Sequence, residues 1–170
     1  MVNYRILNYK SSKANKSLEG IRNARPFASS TEVGLVFTIE DQSKHNSVKK
    51  FIQKLEASGK KVQALCYLPK GANNHEFLFD FFEKNEVNFW GVYKNEKVEQ
   101  FVHQSYDFLY VLDKEIGPLI ANIIARSHAK CRIGCSNSKN EEYLEFMIKS
   151  KTHNYDEIFD DFYNYSEKIK

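Results

Sequence analysis

The sequence predicts an α/β protein in which helices cover both faces of a mostly parallel sheet of five or six strands. Residues 106–134 read as an apolar strand, a helix-period segment and a second short strand, which is the βαβ unit that joins parallel strands. Strand-like and helix-like segments alternate along most of the remaining chain. With 170 residues, 42% of them apolar, the chain is long enough for one domain with a sizeable core. This combination predicts a three-layer, Rossmann-like sandwich.

The first two predicted strands of the sheet are joined by a predicted helix. Residues 33–39 and 62–68 are mostly apolar, β-branched or aromatic, which indicates buried strands. The segment between them repeats apolar residues at the i, i+3, i+4, i+7 spacing of an amphipathic helix. Asp41 or Ser43 is predicted to cap the first turn of this helix, and Gly59 is predicted to follow its last turn.

The middle of the chain has a weaker pattern. Residues 76–83 are too aromatic to be exposed and fit either a helix or a strand. Residues 87–93 are predicted to form the third strand, and a short helix is expected over 96–103.

The last part of the chain continues the alternation of strands and helices. Strands are predicted over 108–112 and 131–135, and residues 143–148 can supply a sixth. The helix between the fourth and fifth strands is expected to have Asp113 as its cap. An amphipathic helix over 155–168 closes the domain.

The net charge is distributed unevenly along the chain. Of the overall charge of +3, residues 1–30 contribute +5, because they hold six cations and one acid. This segment is predicted to be a basic helical arm and linker that precedes a single α/β domain over 31–170. Its cations suit an acidic partner such as RNA, the ribosome or an acidic protein, although a solvated helix explains the same charges. The candidate partner-binding residues are Arg5, Lys10, Lys13, Lys16, Arg22 and Arg25.

The sequence lacks the motifs that are typical of several classes of function. Neither the GxGxxG nor the GxxxxGK[ST] phosphate loop occurs, and the three cysteines and five scattered histidines show no zinc-ligand spacing. We therefore expect no cofactor and no metal. The sequence contains no run of 18 apolar residues and no signal-peptide core, which predicts a soluble protein of the cytoplasm with reduced thiols.

Acidic residues follow two of the predicted strands. In a parallel sheet, ligands bind beyond the carboxyl ends of the strands, at the point where the strand order reverses. If the first and fourth strands are neighbours, Asp41 and Asp113 flank that crevice and are weak candidates for acid–base catalysis or cation binding. The alternative, that both residues cap helices, is favoured because acids are expected at these positions in any such fold.

An aromatic cluster occurs in the predicted third strand. Phe89, Trp90 and Tyr93 offer ring faces on which a base or a sugar can stack. Their strand spacing favours the other interpretation, in which half of the cluster is core and half is sheet edge.

Four further segments of the chain are informative together: the strand with an acidic end, GLVFTIED, the segment KVQALCYL, and the pair YDFLYVL and AKCRIG. In these segments the chain resembles a bacterial family of uncharacterised proteins, a domain-of-unknown-function family. This resemblance covers most of the chain and implies no activity. Residues 106–134 are also similar to the last strand–helix–strand of the acceptor half of heptosyltransferase-type (GT-B) glycosyltransferases, which implies a Rossmann-like fold and an acceptor-binding site.

Two functional hypotheses follow from these observations. The leading one is a non-catalytic binding module of the cytoplasm whose basic arm engages an acidic partner. The alternative is a stand-alone or degenerate glycosyltransferase-like acceptor-binding half that uses Asp41 and Asp113 at the strand switch point. The sequence favours a protein without catalytic activity but identifies neither the partner nor a small-molecule ligand.

Overall fold

A computed structural model describes residues 1–136 and 139–170 of the chain, which form six strands and five α-helices. The strands are β1 (Glu32–Thr38), β2 (Lys61–Leu68), β3 (Asp80–Glu83), β4 (Phe108–Val111), β5 (Cys131–Cys135) and β6 (Phe146–Ile148). The helices are α1 (Tyr4–Ser17), α2 (Gln42–Ala57), α3 (Glu96–His103), α4 (Pro118–Arg126) and α5 (Tyr155–Ser166).

The six strands form one parallel sheet in the order β3-β2-β1-β4-β5-β6. Every neighbouring pair in this order runs parallel, which confirms the predicted fold class. β1 and β4 are direct neighbours, with Val33 opposite Phe108. The strand order reverses between them, so the carboxyl ends of β1 and β4 form the topological switch point of the sheet.

Helices cover both faces of the sheet. On one face α1, α3 and α4 pack over a core that includes Leu7, Phe101 and Ile123. On the other face α2 and α5 pack over a core that includes Phe51 and Phe162. Strand residues alternate between these two cores, as expected for a sheet that is buried on both sides. None of the helices in the described part of the chain has the length and apolar character needed to cross a bilayer.

The predicted third strand over 87–93 is wrong, because β3 lies earlier in the chain. The segment over 87–93 folds back on itself, with an isolated antiparallel bridge between Val87 and Tyr93. The Asn88 carboxamide oxygen accepts hydrogen bonds from the backbone N–H groups of Trp90 and Val92, at 2.9 and 3.0 Å. Gly91 adopts a φ of 70°, which a side chain would oppose. Backbone N–H groups of this segment therefore bond to the Asn88 side chain, and the segment forms a turn where a strand was predicted.

The basic N-terminal segment packs on the domain through α1. The helix begins after Asn3, whose side chain caps the N–H groups of Arg5 and Ile6. Its buried side contains Leu7 and Ser11, and the Ser11 hydroxyl accepts a hydrogen bond of 2.9 Å from Asn122 in α4. The helix ends at Ser17, and a short 3₁₀ turn over Glu19–Ile21 follows it.

Candidate functional site

A cavity of about 290 Å³ lies at the switch point. Thr38, at the end of β1, lines it together with Glu40, Asp113 and Glu115 from the loops that follow β1 and β4. The first turn of α4, together with Tyr4 and Tyr67, forms the rest of the wall. β1 and β4 are neighbours, which is the condition under which the sequence places these two acidic loops at one crevice.

A buried ion pair occupies the centre of this site. The Lys44 ammonium group donates to Asp113 Oδ1 at 2.6 Å and to Glu40 Oε1 at 2.7 Å. The side chains of Lys44 and Asp113 are only 1% and 3% exposed. Asp113 also accepts from the Thr38 backbone N–H at 2.8 Å and from the Thr38 hydroxyl at 2.7 Å. Both oxygens of the Asp113 carboxylate are therefore committed to partners inside the fold.

The two acidic candidates have different roles. Asp41 caps α2, because its carboxylate accepts from the Lys44 backbone N–H at 2.8 Å, as predicted. The prediction that Asp113 caps the following helix is wrong. That helix starts at Pro118 with Gly117 at the cap position, and Asp113 turns inward to Lys44 and Thr38 instead. A buried ammonium group without a carboxylate would be strongly disfavoured, which gives Asp113 this inward role.

Tyr155, the first residue of α5, covers the ion pair from the outside. Its ring lies 5.0 Å from the Lys44 ammonium and 4.1 Å from that of Lys114, and its hydroxyl donates to Glu40 Oε2 at 2.7 Å. Burial, followed by the hydrogen bond to Glu40, raises the pKa of the Tyr155 hydroxyl, so this group remains a donor. At the switch point, Lys44, Asp113, Glu40, Thr38 and Tyr155 are therefore joined in one network of hydrogen bonds and ring contacts.

The second candidate site is the cationic face of α1, which we define as Arg5, Lys10, Lys13 and Lys16. Arg5, Lys13 and Lys16 are exposed and Lys10 is partly exposed. Because α1 buries Leu7 and Ser11, residues at positions 5, 13 and 16 lie on the opposite side of the helix. Within residues 1–136 and 139–170, none of these four cations forms an ion pair with a carboxylate. Their charge is available to a partner.

The remaining two predicted cations lie apart from this face. Arg25 is exposed in the linker, beyond the end of α1. The Arg22 side chain is only 6% exposed, and its guanidinium donates to the carbonyl oxygens of Ser127 and Ala129. Burial, with a smaller contribution from the neighbouring Arg132, lowers the pKa of Arg22 to about 10. Arg22 therefore holds the linker against the end of α4, and its charge is not available to a partner.

The turn over 87–93 presents an exposed aromatic pair next to α1. Trp90 is 61% exposed, and the rings of Phe89 and Trp90 lie 5.3 Å apart in an edge-to-face arrangement. The Phe89 carbonyl accepts a hydrogen bond of 3.2 Å from the Asn3 backbone N–H, two residues before Arg5. Tyr93, the third member of the predicted cluster, is buried. We call Phe89 and Trp90 the aromatic tip.

The three thiols are buried and unpaired. Burial raises the pKa of Cys66 to about 12, that of Cys131 to about 12 and that of Cys135 to about 11. Among the described residues, no group of three His, Cys, Asp or Glu side chains is arranged to hold a metal ion. These cysteines pack as small apolar residues.

We expect the folded protein to resist alkylation of its cysteines. At about pH 8, a thiol with a pKa of about 11 is ionised in roughly one molecule in a thousand, and the thiolate is the reactive form. Mass spectrometry after iodoacetamide treatment should show no rapid labelling in native buffer and three labels in concentrated guanidinium chloride. Rapid native labelling of Cys135 would show that this thiol is accessible and ionised.

Sequence reasoning missed one further buried cation, Arg132. Its guanidinium donates twice to Glu145, at 2.9 and 2.6 Å, and also to Asn15 in α1 and to the Ile124 carbonyl in α4. The available signal was an arginine in the middle of an apolar strand, where a charge requires partners on neighbouring elements.

Comparison with protein families matches residues 4–169, nearly the whole chain, to the family described as "Family of unknown function (DUF6913)". Comparison with curated proteins gives no match. The match confirms the resemblance to a domain-of-unknown-function family. The similarity to glycosyltransferases is not shown by these comparisons and stays a prediction.

Proposed function

The chain belongs to the family of unknown function DUF6913, and we propose from its geometry that it is a non-catalytic binding module whose partner is single-stranded RNA. The observation that carries this proposal is the cationic face of α1, whose four charges have no carboxylate partner in the described part of the chain. Such charges bind phosphates and release counterions, which is the main source of affinity for nucleic acids.

The aromatic tip distinguishes RNA from the other acidic partners. Base stacking on exposed aromatic rings favours single strands, and Trp90 offers such a ring beside the first turn of α1. A ribosomal surface that is mostly double-stranded, or an acidic protein, has no unstacked base for this ring. We propose the cytoplasm as the compartment, because three unpaired thiols suit a reducing environment.

The glycosyltransferase-like alternative has less support. It requires Asp41 and Asp113 to act together on a substrate. Asp41 caps α2, and both oxygens of Asp113 hold partners inside the fold.

We expect the cationic face to determine the salt dependence of RNA binding. Changing Arg5, Lys10, Lys13 and Lys16 together to Gln should reduce the slope of log affinity against log salt concentration by about 3, at about 0.7 for each lost phosphate contact. The measurement is fluorescence anisotropy with a labelled single-stranded RNA over a range of salt concentrations. A matched control removes four exposed lysines elsewhere: Lys149, Lys151, Lys168 and Lys170.

The aromatic tip supplies a second, independent test of the same proposal. Trp90→Ala should weaken binding by about 1–3 kcal/mol and leave the salt slope unchanged, because stacking involves no counterion release. Tyr165→Ala, which removes an exposed ring from α5 on the other face of the sheet, is the matched control. Equal affinities for the intact chain, the four-cation variant and the lysine control would contradict the proposal, as would an intact chain that binds no RNA.

A further inference from the structure

A second and larger cavity lies at the same edge of the sheet as the switch point, beyond the carboxyl ends of β2 and β3. Its volume of about 620 Å³ falls within the range of small-molecule sites. The walls come from the end of β2, from the loop that follows it, from the segment after β3 and from the residues before α1. The lining residues are Tyr67, Leu68, Lys70, Gly71, Glu83, Lys84, Asn85, Val87, Met1 and Val2. We call it the β2–β3 cavity. It shares the Tyr67 wall with the switch-point cavity.

The charges on the wall of the β2–β3 cavity are mostly positive. Lys70 and Lys84 both line it, and neither forms an ion pair with a carboxylate in the part of the chain that the structure describes. Glu83 is the one acid among the lining residues. Its carboxylate accepts the backbone N–H of Glu86 in a capping box, so it is directed to the backbone of its own turn. The two lysines therefore outnumber the single acid on this wall.

Hydroxyl donors accompany one of these lysines. The Lys84 ammonium lies 5.2 Å from the centre of the Tyr4 ring, and a hydrogen bond with Tyr4 raises the pKa of Lys84. Burial, followed by the influence of Tyr4, raises the pKa of the Tyr67 hydroxyl, so this hydroxyl keeps its proton. An ammonium group next to phenolic hydroxyls is a set of donors that suits an anionic oxygen.

The position of the cavity agrees with this chemistry. In open parallel sheets, ligands sit outside the carboxyl ends of the strands next to the switch point, and the β2–β3 cavity adjoins that point through Tyr67. At the switch point itself Lys44 and Asp113 are paired with each other, and the cavity is smaller, at about 290 Å³. The larger open volume at this edge therefore lies over β2 and β3.

We propose that the β2–β3 cavity binds a small molecule that carries a phosphate or carboxylate group, with Lys70 and Lys84 around its anionic oxygens and the Tyr67 hydroxyl as a further donor. The anionic oxygens are the shared feature of both classes of ligand, and the rest of the molecule lies along the Tyr67 side of the cavity. This site is separate from the cationic face of α1 and does not depend on RNA binding.

The test is a titration of the ¹⁵N-labelled full chain with three probes: ribose 5-phosphate, gluconate and uncharged ribose. We expect saturable shifts of the Gly71 and Asn85 backbone amides with at least one anionic probe and none with ribose. Lys70→Gln combined with Lys84→Gln should weaken this binding at least about tenfold, because a hydrogen bond to a charged group contributes about 1.5–3 kcal/mol. Each single variant should show part of the loss. Lys149→Gln combined with Lys151→Gln, which removes two exposed lysines elsewhere, should bind like the unchanged protein.

The outcomes separate the sources of the ligand and the two proposed sites. Saturation by ribose 5-phosphate alone identifies a phosphate ligand, and saturation by gluconate identifies a carboxylate. The variant without the cationic face of α1 should bind the anionic probe normally even where RNA binding is lost. The proposal is overturned if no anionic probe saturates at millimolar concentration, if ribose produces the same shifts, or if the double lysine variant binds as tightly as the unchanged protein.

Discussion

Replacing Asp113 with Ala is expected to lower the free energy of unfolding by about 3–5 kcal/mol, which makes it one of the two most damaging substitutions that we predict. Lys44 would be left in a nearly closed environment with Glu40 as its remaining carboxylate partner. The backbone N–H and hydroxyl of Thr38 would lose their acceptor in the same step. Urea unfolding followed by circular dichroism measures the loss.

A double variant separates two free energies: the cost of leaving Lys44 without Asp113, and the net contribution of the ion pair to stability. Lys44→Met combined with Asp113→Leu should cost less than Asp113→Ala alone, because an apolar pair of similar volume leaves no buried charge. Asp41→Ala is the control, since it removes only a helix cap, and it should cost about 1 kcal/mol. If Asp113→Ala costs no more than Asp41→Ala, the Lys44 ammonium must be hydrated and the switch point open.

The strands with the clearest patterns were predicted correctly because a strand that is buried on both faces consists almost entirely of apolar residues. β1 and β4 are buried on both faces by the two helical layers, so nearly every residue is apolar. Once a βαβ unit is recognised, the parallel direction of β4 and β5 follows from chain connectivity. The neighbouring positions of β1 and β4 were a condition in the sequence argument, because no local pattern determines the order of strands in a sheet.

The error in the third strand has a local physical cause. The segment over 87–93 has strand-like aromatic composition, but Asn88 and Gly91 close it into a turn. β3 has only four residues at the sheet edge, where a strand is buried less uniformly and its pattern is weaker. The exposed aromatic tip is the consequence of this turn.

The structural roles of Asp41 and Asp113 at the switch point could not be read from the sequence alone. A helix cap and an ion pair both require a carboxylate just after a strand, so composition does not distinguish the two roles at Asp113. Pro118 carries the information that separates them, since proline is favoured at the first position of a helix and places the cap at Gly117. The burial of Lys44 has no sequence signal of its own, because it depends on Tyr155 from a distant part of the chain.

Replacing Arg132 with Met is expected to lower the free energy of unfolding by about 3 kcal/mol or more. The side chain is 2% exposed and makes four hydrogen bonds, which join β5 to α1, to α4 and to Glu145. Its loss leaves the buried Ile124 carbonyl without its donor, at a desolvation cost of about 1–3 kcal/mol, and removes the charged hydrogen bonds to Glu145 and the bond to Asn15. Relief of the repulsion between Arg132 and Arg22 offsets part of this cost.

Arg126→Met is the matched control, because Arg126 also pairs with a glutamate, Glu99, but at a partly exposed site. An ion pair of that kind contributes about 0–1 kcal/mol, so the same substitution should have little effect there. Arg132→Lys should recover only part of the loss, since an ammonium group cannot reproduce the planar fork that holds Glu145. Hydrogen exchange adds a local measurement: because Arg132 contacts Asn15, the amides of α1 should exchange faster in Arg132→Met than in Arg126→Met. Equal stability of the two methionine variants would mean that α1 is held by its apolar contacts and by the hydrogen bond between Ser11 and Asn122, without a contribution from the buried arginine.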